Sequence, residues 1–151
     1  MRLRALKWKP SESAAMNARR VLPKMLRDYF AFGRKLESSS SASDMHGFRL
    51  KTKQLRYTLE GFIPIYGPGL KQKIDSLRPI QNALGELNDC EVLLADLGKR
   101  LPHAARAHIR KRAGGKHKEF LRYWREEFDA ADEDKKWMQY LTRTARMKQA
   151  T

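Results

Sequence analysis

The chain has 151 residues, with 32 lysines and arginines against 17 aspartates and glutamates and a formal charge of +15. That length suits one domain with a genuine core, and a surface so basic repels itself unless a polyanion such as nucleic acid, an anionic membrane surface or inorganic polyphosphate is present. A single cysteine, Cys90, excludes an intrachain disulfide, the four histidines offer no zinc spacing, and no stretch approaches the ~18 apolar residues of a membrane span.

Residues 1–10 read as a basic arm that ends at Pro10 and lacks the apolar run of a signal peptide, so a reducing cytoplasmic setting is expected. A first helix is expected over 12–37, capped by Ser11 or Ser13. Ala15, Leu22, Leu26, Tyr29, Gly33 and Leu36 share its apolar face, while Arg20, Arg27 and Arg34 recur every seven residues on another side with Lys24 beside them. Pro23 predicts a kink or a break into two helices. The serine-rich stretch 38–43 is a connector whose last serine can cap a second helix from Asp44 to about Phe62.

Pro64, Gly67, Pro68 and Gly69 predict a turn after it. A third helix is expected from about Leu70 to Arg100, bent at Pro79, with Gly85 letting another helix approach closely. A fourth follows Leu101-Pro102, strongly basic and weakened at Gly114-Gly115, and a last one runs from Asp132 to about Met147. No sustained period-two alternation calls for strands. The expected fold is all-α: an antiparallel four-helix bundle over 11–130 with kinked helices, and a short extra C-terminal helix with a tail over 131–151.

The second helix organises the functional reading. His46, Arg49, Lys53, Arg56 and Glu60, spaced +3, +4, +3 and +4, form one stripe, and Phe48, Leu55, Leu59 and Phe62 form an apolar seam on the other side. From His46 to Arg56 the cations extend along roughly 15 Å of axis, which suits a long anion better than a small metabolite. Arginine offers a planar fork to phosphate and lysine a mobile point charge. Glu60 is placed to orient Arg56 one turn before it. Against this stands the ordinary fate of such a stripe, a solvated charged face.

The pattern His46-x-x-Arg49-x-x-x-Lys53-x-Leu55-Arg56-Tyr57-x-x-Glu60-x-Phe62, followed by Leu77-x-x-Ile80-Gln81-x-x-Leu84-Gly85-x-Leu87-Asn88-Asp89, resembles the CHAD family, the conserved histidine α-helical domain. The resemblance implies a non-catalytic, all-helical domain that binds inorganic polyphosphate, in the cytoplasm and at times at polyphosphate granules. Family members usually hold two similar halves facing a basic channel. This chain carries the His-x-x-Arg helix once, in the order of a second half, so a twofold homodimer is the structural expectation.

His46, Arg49, Lys53 and Arg56 are thus the expected polyphosphate ligands. Arg20, Lys24, Arg27 and Arg34 form the expected second bank, on the premise that the first helix lies antiparallel beside the stripe. Lys71 and Arg78 are weaker candidates. Asn88 is a candidate polar site residue and Asp89 a structural partner for an arginine; Tyr57 and Cys90 read as packing residues. The acidic clusters 126–127 and 132–134 lack opposing metal ligands, and no catalytic constellation or cofactor motif is visible. Nucleic acid is the alternative polyanion, favoured by charge and the arm but by no recognised DNA- or RNA-binding motif.

Overall fold

The structure, a computed structural model, describes the backbone of residues 7–149 and the side chains of residues 7–143, so the first six residues of the expected arm lie outside the described residues. Helix α1 spans Ala14–Arg34, and Ser13 caps it by accepting the Met16 N–H at 3.1 Å. It passes through Pro23 as one element, so of the two outcomes expected there, a kink or a break, the break does not occur. The lost hydrogen bond is offset by packing, because Pro23 is itself buried.

Helix α2 spans Ala42–Gly61 and begins two residues before the expected start. Ser41, and not Ser43, is the cap: its hydroxyl accepts the Asp44 N–H and the Asp44 carboxylate accepts the Ser41 N–H, each at 3.1 Å. Several serines compete for this position, and the one with an acid three residues on satisfies two orphan N–H groups instead of one. Tyr29 fixes the α1–α2 register. Thr52 donates to the Phe48 carbonyl at 2.9 Å, so the Tyr29 hydroxyl, 2.8 Å away, donates to Thr52.

The expected turn after α2 contains one helical turn, α3 (Ile63–Tyr66), and a left-handed Gly67 at φ 84°. The third helix is two: α4 (Pro68–Asp75) and α5 (Arg78–Leu97), separated at Ser76 and Leu77. Pro68 and Pro79 each occupy a first-turn position, where no intrahelical N–H is needed. A single 3₁₀ turn, Gly98–Arg100, leads to α6 (His103–Tyr123), which runs unbroken through Gly114 and Gly115. A π-helical turn, Trp124–Phe128, and a left-handed Asp132 lead into α7 (Glu133–Gln149). All regular structure among the described residues is helical.

In this all-α fold α2 packs between α1 and α5, α5 lies along α6, and α7 lies along α1. Tyr29, Phe48, Leu55, Leu84, Phe120, Trp124, Trp137 and Leu141 belong to one buried cluster, so α7 shares the core of the preceding helices. Trp124 is its hub, stacked on Phe128 at 5.0 Å and edge-on to Phe48 at 5.4 Å and Tyr29 at 5.6 Å. The indole fits because α1 presents Gly33 there; a Cβ would stand 2.0 Å from a ring carbon.

Candidate functional site

The apolar seam of α2 is buried at Phe48, Leu55 and Leu59, which turns the stripe outward. Its neighbour is α5 and not α1. His46 Nδ1 lies 2.8 Å from Asn88 Oδ1, and Arg56 Nη1 donates to Gln81 Oε1 at 2.6 Å. These two bonds run antiparallel, pinning both ends of the cationic stripe to α5.

Between the pins, Arg49 and Lys53 are half-buried and make no hydrogen bond or ion pair with any described residue. Gly85 lies between Gln81 and Asn88 on α5, level with them, and nothing comes within 4 Å of where its Cβ would be. The glycine therefore leaves open space on the face of α5 that carries the two pins instead of admitting a neighbouring helix. Gln81 and Gly85 are the site residues that sequence reasoning passed over, although their spacing with Asn88, +4 and +3, marks one face of a helix.

The pins fix the orientation of both flanking side chains. With Asn88 presenting its oxygen, His46 donates through Nδ1, so α5 holds its ring. Arg56 is steered by three contacts: Gln81, Glu60 Oε1 at 3.3 Å, and the Tyr57 ring 4.8 Å beneath its guanidinium carbon. Its Nε is buried without a well-aligned acceptor, so the Glu60 contact is charge attraction more than a hydrogen bond. Glu60 takes the orienting role its position implies. Tyr57 does not pack inside; it is 53% exposed and serves as the platform under Arg56.

The expected second bank is not gathered beside the stripe. Arg20 is tied to the segment before α1, donating to the Lys7 carbonyl at 2.8 Å, Asn17 Oδ1 at 2.7 Å and Glu12 Oε2 at 3.2 Å. Arg34 forms a bidentate pair with Asp129 at 2.8 and 2.7 Å and reaches Asp134 at 3.0 Å. The Asp129 bond holds the guanidinium protonated well above its ordinary range, and Arg34 pulls the Asp134 carboxyl below its own. Arg27 lines the same α1–α7 cleft, and Lys24 is exposed and unpaired. The reason is rotational: α1 turns Phe32 toward α2 and its Phe30–Arg34 edge toward α7.

Of the weaker candidates, Arg78 pairs with Asp75 at 3.3 Å and Lys71 is exposed and unpaired. Asp89 is exposed and pairs with no arginine among the described residues. Helix α6 contributes unpaired cations at Arg110, Lys111 and Lys118, whereas its Arg112 and Lys116 close on Glu86 at 2.9 and 3.0 Å. The acidic clusters are engaged by cations, Glu126 by Arg122, Asp132 by Lys135 and Glu133 by Lys136. Among the described residues no group of three or more His, Cys, Asp or Glu could hold a metal ion, and no helix is long and apolar enough to cross a membrane.

A family model for the CHAD domain matches residues 1–98, which include the whole stripe, its α5 partners and the N-terminal segment. Neither the curated proteins nor the solved structures include a match to the chain. The match covers well over half of the sequence, ending just after α5, and the chain belongs to the CHAD family.

Proposed function

We propose that this domain binds inorganic polyphosphate along α2, without chemical turnover. The observation that supports this best is the pairing of two unengaged cations, Arg49 and Lys53, with two flanking groups, His46 and Arg56, already oriented by α5. A repeating anion with equivalent oxygens meets such a row in any register, whereas a small metabolite uses only part of it. Membership of the CHAD family, which is associated with polyphosphate, supports the same reading. Lys24 and Arg27 are retained as peripheral contacts; Arg20 and Arg34 are proposed to act mainly in holding the fold, because carboxylates already engage them.

Two copies facing each other through their stripes would line a channel from both sides, so polyphosphate is proposed to favour a twofold homodimer. The proposed setting is the cytoplasm, with polyphosphate dispersed or in granules. Alanine at Arg49, Lys53 and Arg56 together should remove most polyphosphate affinity with helicity intact. Unchanged affinity in that variant would move the site to α1 or α6.

A further inference from the structure

The stripe occupies the side of α2 next to α5. On the side next to α1 the same helix borders a separate open cleft of about 380 Å³. Phe32 of α1 and Leu36 just beyond its end form one wall and Gly47 of α2 lies opposite. Lys35, the capping residue after α1, and Lys51 of α2 line it, with Asp44 at the end near the connector. A mid-helix glycine costs roughly 1 kcal/mol relative to alanine. At Gly47 no close approach demands it, because nothing lies within 4 Å of where a Cβ would project. Its consequence is an unfilled cleft.

The two lysines have no carboxylate partner among the described residues. Lys35 makes no ion pair with a described residue, and the Lys51 ammonium rests 4.6 Å from the centre of the Phe32 ring. A cation parked on an aromatic face is only modestly satisfied and exchanges that contact for a phosphate at gain. A cleft of this size with apolar walls and a few convergent polar groups suits a small organic ligand. Polyphosphate has no apolar part with which to use Phe32 and Leu36. An aryl or heteroaryl phosphate uses both the walls and the lysines. Asp44 spends one oxygen on the Ser41 N–H and keeps the other as an acceptor for a ring amino or sugar hydroxyl group.

We propose that the α1–α2 cleft is a second binding site, taking a nucleoside phosphate with its base against Phe32 and Leu36 and its phosphate between Lys35 and Lys51. The proposal stands apart from the polyphosphate reading, since the two sites use different sides of α2. The test is calorimetric titration of the whole chain with adenosine monophosphate, adenosine and inorganic phosphate. The nucleotide should bind at least about tenfold more tightly than either fragment, because neither fragment meets both the walls and the lysines. Gly47→Leu fills the cleft and should abolish nucleotide binding while leaving polyphosphate affinity and helicity unchanged. Inorganic phosphate binding as tightly as the nucleotide overturns the proposal, as does undiminished nucleotide binding by Gly47→Leu. If that variant loses helicity, Lys51→Gln decides: a several-fold loss for the nucleotide with none for adenosine supports the site, and no loss refutes it.

Discussion

Replacing Arg49 and Lys53 together by alanine separates a specific polyphosphate contact from the general attraction of a +15 surface. Neither side chain holds a partner among the described residues, so their removal leaves no described charge uncompensated and stability should hold. The lysines and arginines of the stripe are three, Arg49, Lys53 and Arg56. Each phosphate contact on a flexible polyanion contributes about 0.7 to the slope of log affinity against log salt, so the stripe accounts for a slope near −2, and the double variant for about −0.7. Between about 50 and about 200 mM salt the stripe contribution then weakens affinity roughly twentyfold in the native protein and roughly threefold in the variant. Fluorescence anisotropy with labelled long-chain polyphosphate over a salt series measures both slopes. Equal slopes with reduced affinity would place the lost interaction elsewhere than on phosphate, and equal slopes with equal affinity would remove α2 from the site.

His46→Ala removes one of the two side chains that α5 holds at the ends of the row and should weaken polyphosphate binding several-fold with helicity intact; unchanged affinity excludes the contact. Gly33→Ala drives a methyl group into the Trp124 ring, 2.0 Å from its nearest carbon, and should cost about 3 kcal/mol or more, lowering the melting temperature by roughly 6–12 °C. A melting curve superimposable on that of the native chain would refute the packing described at Trp124. Arg34 depresses the Asp134 carboxyl, so this pair stabilises the fold above the ordinary carboxyl range near pH 4, and the contribution is lost as pH falls toward the depressed value. Arg34→Gln should therefore give a shallower acid limb in a plot of stability against pH; an identical limb contradicts the pairing.

The stripe was legible in the sequence because a 3.6-residue period carries both its cations and the buried seam behind them. Its neighbour was not. Periodicity places Arg20, Arg27 and Arg34 on one side of α1, but Arg20 is held by the segment before the helix and Arg34 by Asp129 and Asp134, 95 and 100 residues beyond it. The break between α4 and α5 was hidden for a related reason. Leu70, Ile74, Leu77 and Ile80 keep helical spacing across it and are all buried, so the pattern records burial without recording the interruption at Ser76.

Glycine carried the least transferable signal. Gly85 invited a close helix approach and instead leaves a notch, while the close approach occurs at Gly33, where the partner is a side chain from the distant π turn. Asn88, a candidate polar site residue in the sequence, accepts from His46 Nδ1 and so orients its ring. The capping serine was ambiguous among neighbours of equal propensity until Asp44 completed the reciprocal pair with Ser41.

The central claim is tested most directly by competition at near-physiological salt: labelled long-chain polyphosphate displaced by unlabelled polyphosphate, duplex DNA or RNA at equal phosphate concentration, repeated across salt. The account predicts displacement by polyphosphate at far lower concentration than by either nucleic acid. Equal displacement by all three would mean that the surface reads charge alone, contradicting a polyphosphate-specific site on α2.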